Sequence, residues 1–392
     1  MKVVALKDVC RITNGGTPKS GIDRFWHGEV AWLTPAEMGK RLTPYITQTA
    51  RTISQDGLSN SSAKLIPKHS VILSTRAPIG HLAINELPMA FNQGCRGLTP
   101  NDCLDTKYLY YFLLFNREAL DVLGTGTTFK ELSSSNLASF RIPLPPLDEQ
   151  RRIVAVLDKA FAGIATATAN AQKNLANARA HFESYLHSIF HTSGKGWPVE
   201  RLANVSTKIT DGTHNSPKYA QRGIPMLDSK HIGESFQIED SEATKFISPE
   251  TDLELSRRCK PLPRDILISS RGSIGKIAIV ALGQDFNIMG NMILVRMPKS
   301  ILPEYGAFFF KSEVSEMEAI AKGVAQKGLY LNQIRDYKMP IPPMNVQADI
   351  VSKLDALMDF RSAMLNVYES KLAALAELKQ SLLQRAFAGE LT

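Results

Sequence analysis

The stretch "FRIPLPPLDEQRRIVAVLD", Phe140 to Asp158, returns almost rewritten as "YKMPIPPMNVQADIVSKLD", Tyr337 to Asp355, 197 positions later. A chain that twice places a Pro-x-Pro-Pro corner before an apolar-periodic segment is constrained to be two copies of one unit. Other segments echo in the same order. "VVALKDVCRITNGGTP" returns as "PVERLANVSTKITDGTHNSP", and "PKHSVILSTRAPIGHLAI" as "PRDILISSRGSIGKIAI". "FNQG" at Phe91 returns as "FNIM" at Phe286, and "LGTGTTFKELSSSNLASFRIPLPP" as "IAKGVAQKGLYLNQIRDYKMPIPP". The offset stays between 195 and 197 throughout, so the reading is a tandem duplication.

Each copy has two parts. The first mixes short β-rich runs, such as Val71 to Thr75 and Ile266 to Ser269, with glycine turns. "DTKYLYYFLLF" and "LPEYGAFFFKS" read as a helix buried inside that part, its aromatics serving the core. The second part is helical. Leu157, Phe161, Ile164, Thr168, Ala171, Leu175, Ala178, Phe182, Tyr185 and Ile189 alternate at four and three, about five heptads on one seam. The second copy supplies Val351, Leu354, Met358, Leu365, Tyr368, Leu372, Leu375 and Leu382, interrupted by Arg361 and Lys379. A helix from Asp148 to Phe190 would be roughly 64 Å long. Neither stripe is stable alone in water, so the two helices are expected to pair as a coiled coil. The prolines prevent the helix from extending backwards, and Asp148 and Asn345 are candidate N-caps.

The expected fold is therefore α+β. Two tandem, β-rich recognition domains are separated by two long antiparallel helices, with pseudo-two-fold symmetry. The boundaries read as residues 1–139 for the first domain and 140–193 for its corner and helix. Residues 194–336 and 337–392 repeat that division. Two similar, non-identical domains presented in this way suit a bipartite ligand such as duplex DNA.

The net charge of +8 sits mainly in the domains, +4 in residues 1–138 and +3 in residues 194–338, as phosphate binding would require. No apolar run exceeds eight residues, the first residues return to charge after four apolar positions, and the four cysteines have no CxxC spacing. The chain is expected to be reduced and cytoplasmic, without a membrane span.

No catalytic constellation emerges. "RGSIGK" at Arg271 has two residues between its glycines where a phosphate loop needs four, so a tight turn is the better reading. His187 and His191 share helix spacing with metalloprotease ligands, but "HSIFH" lacks the glutamate, and no metal site is expected. What remains are paired polar and basic loops. The candidate DNA-contacting residues are Asn14, Thr17, Lys19, Lys40, Arg41, Arg76, Thr127, Thr128 and Lys130 in the first copy. In the second they are Thr213, His214, Lys218, Lys230, Arg271, Gln326 and Lys327, with hydroxyl, amide and cationic groups suited to phosphates and groove edges.

The two corners, the "STRAPIG" and "SSRGSIG" turns, the "TNGGTP" opening and the collinear duplication together resemble the specificity subunits of type I restriction–modification systems. The resemblance covers essentially the whole chain. It implies two target recognition domains that each read half of a gapped, double-stranded DNA target. It also implies helices that space the domains and dock two methyltransferase subunits, with restriction or translocase subunits joining through them. S-adenosylmethionine and ATP with magnesium would then belong to those partners, with no cofactor in this chain. The corner residues Leu147, Asp148, Glu149, Gln150, Arg151 and Gln347 are the expected docking positions. The second corner loses three charges, as Asp148-Glu149-Gln150-Arg151 becomes Asn345-Val346-Gln347-Ala348. The competing readings are the specificity subunit of a standalone or rearranged methyltransferase system, a chain that itself methylates or cleaves DNA, and a coiled-coil scaffold.

Overall fold

A computed structural model describes residues 2–40, 43–76, 78–126, 130–191, 196–233, 235–239, 244–281, 283, 285–322 and 328–391. The chain divides into two compact units, one formed by Met1–Ala171 with Ser370–Thr392, the other by Gln172–Glu369.

In the first unit the strands are β1 (Val3–Ala5), β2 (Cys10–Asn14), β3 (Trp26–Leu33), β4 (Tyr45–Ile46) and β5 (Arg51–Ile53). They continue with β6 (Val71–Thr75), β7 (Ile79–Asn85), β8 (Ala90–Phe91), β9 (Cys95–Pro100) and β10 (Arg141–Pro143). They form a five-stranded sheet β2-β9-β6-β7-β4, a three-stranded sheet β5-β3-β8 and the pair β1-β10. All five residues of β6 are buried, because this β-branched run lies between two apolar layers. Val71 and Leu73 face the cluster containing the helix Thr106–Phe115, while Ile72 faces the cluster containing Leu33 and Phe91.

The second unit repeats the plan. Its strands are β11 (Val199–Arg201), β12 (Lys208–Asp211), β13 (Tyr219–Ala220), β14 (Ile224–Leu227) and β15 (Lys245–Ile247). After these come β16 (Ile266–Ser269), β17 (Ile277–Ile279), β18 (Asn287–Ile288), β19 (Met292–Arg296) and β20 (Lys338–Pro340). The sheets are β12-β19-β16-β17, β13-β15-β14-β18 and β11-β20. Ile266 and Ile268 face the cluster containing the helix Pro303–Ser312, and Leu267 faces the other side. The repeated glycines have backbone reasons. Gly80 and Gly275, in the echoed turns, have φ of 99° and 79°, a conformation that favours glycine. A Cβ on Gly15 or Gly212 would lie 2.0 or 2.1 Å from a backbone carbonyl oxygen.

Two long helices span Leu147–His191 and Met344–Ala388, 45 residues each. Both begin two residues earlier than N-caps at Asp148 and Asn345 would start them. The Pro146 carbonyl accepts from the Glu149 and Gln150 amides, and the Pro343 carbonyl from the Val346 and Gln347 amides. Asp148 and Asn345 therefore lie inside the first turn. A proline already held near helical φ, with its carbonyl free, starts the helix without a side-chain cap.

Within the first unit, Ile153, Val154 and Leu157 of the first long helix share a core with Leu383 and Ala386 of the second. Within the second unit, Phe182, Leu186 and Ile189 share one with Ile350 and Leu354. The order of these contacts makes the helices antiparallel. The seam leaves Tyr185, which is 44% exposed, and passes to Leu186, which is 1% exposed. A straight helix of 3.6 residues per turn drifts by about 20° per heptad from a strict seven-residue repeat, so one face cannot collect every expected position. Arg361 and Lys379, the polar interruptions, lie over the rings of Phe182 and Phe161 at 5.2 and 5.1 Å. By length and composition Leu147–His191 could cross a membrane, but its Phe182, Leu186 and Ile189 are packed against protein.

Candidate nucleic-acid interface

In the first unit, β2, β9, β6 and β7 are successive antiparallel neighbours. The residue pairs Asn14 with Arg96, Ser74 with Cys95 and Thr75 with Ile79 therefore mark one edge of the sheet. The loops expected to read DNA leave from that edge, and side chains tie them together. Thr17 hydrogen-bonds Gln93 through its hydroxyl, which also accepts from Asn92 at 3.0 Å. The Ser134 hydroxyl donates to the side-chain Oδ1 of Asn14 at 2.8 Å and accepts from Arg96 Nε at 2.8 Å. Arg96 is 9% exposed and also donates to the carbonyls of Gln93 and Cys95. Glu131 stands 3.5 Å from Arg96 and bridges through its backbone to Arg76 and Thr125.

Lys19 and Lys40 are exposed. The Lys19 carbonyl is held by the Trp26 indole at 3.2 Å. Gly39, before Lys40, lies against the His81 ring. Lys130 is paired with Asp121 at 2.6 Å.

The second unit builds the equivalent edge, marked by Asp211 with Ile293, Ser269 with Met292 and Ile268 with Ile277. Thr213 bridges Met289, and its carbonyl accepts from the Gly290 amide at 2.7 Å. His214 Nε2 lies 2.7 Å from Asp211 Oδ2, and Arg258 pairs with the other Asp211 oxygen. Lys230 lies in a short turn whose Ser229 hydroxyl accepts from Asn291. Arg271 and Lys218 are exposed, with Arg271 packed beside Gly328. Among the described residues, Lys19, Lys40, Lys218 and Lys230 show no ion pair. Arg41, Thr127, Thr128, Gln326 and Lys327 lie outside the described residues.

Two fixed edges bearing unpaired ammonium groups, hydroxyls and amides can hold phosphate oxygens and meet base edges. Sequence reasoning missed Arg96, Ser134, Asn92 and Gln93, and also Arg258 with Asp211. Asn92 and Gln93 lie in "FNQG", echoed as "FNIM", and Asp211 and Ser134 lie in other echoed segments, but none was named as a contact residue. A buried arginine that links three loops has no periodic signature.

The corners are bolted to their own domains by matching contacts. β1 pairs with β10 and β11 with β20, in registers Val4 to Ile142 and Glu200 to Met339. The Tyr108 hydroxyl donates to the Pro143 carbonyl at 3.0 Å, and Tyr305 to that of Pro340 at 2.8 Å. Gln150 and Gln347 are both fully buried. Gln150 accepts from the Asp105 amide at 2.8 Å and donates to the carbonyls of Cys103 and Pro145. Gln347 accepts from the Leu302 amide at 2.9 Å and donates to those of Ser300 and Pro342. These two glutamines, expected among the docking residues, instead clamp the corner from inside and offer a partner no surface. The Asp148 side chain is fully exposed and that of Arg151 is 65% exposed, while Glu149 pairs with Arg152 at 2.7 Å and Leu147 is half-buried.

The histidine pair is also committed to the protein. His187 and His191 stack at 4.2 Å, and His191 Nε2 lies 2.6 Å from the buried carboxyl of Glu313, whose pKa is pushed up by burial. No group of three or more metal-binding side chains occurs among the described residues.

Residues 1–176 and 197–369 match the family model described as type I restriction modification DNA specificity domain. The chain is 26% identical over 412 aligned positions to the type I restriction enzyme MjaIX specificity subunit of Methanocaldococcus jannaschii. That alignment spans 99% of this chain and 93% of the relative. It is 23% identical to the EcoKI specificity subunit of Escherichia coli strain K12, over 86% of this chain and 77% of that one. One solved chain comes from work on complex assembly and conformational transition of the type I R-M system. It superposes with a TM-score of 0.80 at 20% identity, covering 100% of this chain and 98% of its own. The HsdS subunit from Thermoanaerobacter tengcongensis gives 0.59 at 20% identity, with 100% and 97% covered. At these identities the structural likenesses speak for the fold.

Proposed function

The chain belongs to the family of type I restriction modification DNA specificity domains, and from that premise we propose that it is the DNA-reading, non-catalytic subunit of a type I restriction–modification complex. Each unit's loop edge reads one half of a bipartite, gapped duplex. Lys19, Lys40, Lys218 and Lys230 meet phosphates, while Asn14, Thr17, Thr213 and His214 meet base edges. The exposed corner residues Asp148 and Arg151, with the half-buried Leu147 and Glu149, dock methyltransferase subunits, two per chain, and restriction or translocase subunits join through these. S-adenosylmethionine and ATP with magnesium serve those partners in the cytoplasm, and adenine N6 is the methylated position.

One observation carries this reading. The strand order β2-β9-β6-β7 of the first unit returns as β12-β19-β16-β17 in the second, yet one loop edge is organised by Arg96 and the other by Asp211 with Arg258. A shared scaffold with different loop chemistry is what reading two different half-sites requires. Methylome sequencing of the host with the chain intact and deleted tests it. A gapped adenine-methylation motif should vanish on deletion. Methylation of DNA by the purified chain alone, supplied with S-adenosylmethionine, would overturn the non-catalytic assignment.

A further inference from the structure

We infer that the two joints between domain and long helix are electrostatically unequal, and that the joint of the second unit is built to open more readily. The inference stands on the internal repeat and does not depend on the proposed function.

In the first unit the helix Thr106–Phe115 grips the long helix through Asp158. Lys107 Nζ lies 2.6 Å from Asp158 Oδ2, and the Tyr111 hydroxyl donates to Oδ1 at 2.6 Å. Burial works against the Lys107 ammonium, but the hydrogen bonds and charges of Asp158 and Tyr45 together outweigh it and hold its pKa above the ordinary value.

The positions 197 residues later are Glu304, Phe308 and Asp355. The lysine has become an acid, the phenol has lost its hydroxyl, and the aspartate remains. Glu304 and Asp355 line one cavity of about 400 Å³ together with Arg264 and Met358. Asp359 adds a third carboxylate from the next turn of the same helix. Among the described residues Arg264 makes no ion pair with any of these acids. Phe308 turns to Phe236, ring centroids 4.9 Å apart. Burial, then Asp359 and Glu304, push the Asp355 carboxyl up. A clamp of opposite charges in one joint is thus replaced in its twin by like charges lining one cavity.

The sign of the pH dependence follows. A carboxyl with a raised pKa binds its proton more tightly in the folded unit, so acidification stabilises that unit. As pH rises through the carboxyl's titration, the stabilisation is lost. Salt screens repulsion in the second joint and attraction in the first, so it acts on them in opposite directions.

Hydrogen exchange of the full chain, followed by mass spectrometry over residues 348–360 and 151–163, tests the inference. Glu304→Lys should raise protection of the first window by about two- to fivefold, the range of a part-exposed ion pair. Glu304→Gln should act in the same direction with a smaller effect. Lys107→Glu should lower protection of the second window by a similar factor. In the unaltered chain, added salt and mild acid should both protect residues 348–360. Unchanged or reduced protection in both Glu304 variants would overturn the inference, as would salt acting alike on both windows.

Discussion

Gln150 and Gln347 have fully buried side chains, and each bonds one backbone amide and two backbone carbonyls of its own unit. Truncating either removes all three bonds and leaves the Pro145 or Pro342 carbonyl, whose bond is buried, without its glutamine donor. Gln150→Ala should therefore destabilise the free chain by about 2–4 kcal/mol, and Gln347→Ala by a similar amount. Thermal or urea denaturation of the chain alone is the measurement. A silent Gln150→Ala would return the residue to a surface role. At this scale the sequence was partly misleading. Of Asp148-Glu149-Gln150-Arg151 only the glutamine is kept in the second corner, and persistence reads as easily as partner contact as it does as burial. Only the distances separate the two.

The ends of the long helices show how elements are held. Phe387, near the end of the second long helix, packs on Tyr108 and Phe112 at 5.3 and 5.4 Å. Phe190, near the end of the first, packs on Tyr305 and Phe309 at 5.2 and 5.6 Å. All three pairs of positions are separated by 197 residues, so the same aromatic socket is used in both units. A helix launched from one unit ends in the socket of the other. Phe387→Ala and Phe190→Ala should each cost about 3–5 kcal/mol, while Tyr185→Ala, on the exposed face, should stay within about 0.5 kcal/mol. Melting curves of the three variants decide this. Heptad spacing had placed Tyr185 on the seam and Leu186 off it. Sequence spacing sets the period of a stripe, but the partner helix decides which neighbouring position faces inward.

For the whole molecule, a net charge of +8 that sits mainly in the two domains implies affinity for DNA that falls steeply with salt. With methyltransferase subunits present, Lys19→Ala and Lys40→Ala should each reduce the slope of log K against log[salt] by about 1. Discrimination between cognate and altered half-sites should not change. Titrations at several salt concentrations give both quantities, and loss of discrimination would move these lysines from phosphate to base contact. The duplication, the β-rich domains and the two rods were legible in the residues alone, because collinear echoes, apolar periodicity and proline geometry are local properties of the chain. The convergence of distant loops on one sheet edge was not legible, since antiparallel pairing sets Asn14 opposite Arg96, and Ser134 then bonds Asn14 from a loop 120 positions away. Nor could the sequence show that Arg96 links three loops, that the conserved-looking glutamines are internal clamps, or that Lys107 with Asp158 and Glu304 with Asp355 occupy the same place with opposite electrostatic outcomes. Those depend on which side chains packing brings within hydrogen-bond range and removes from water, and tertiary structure alone decides that.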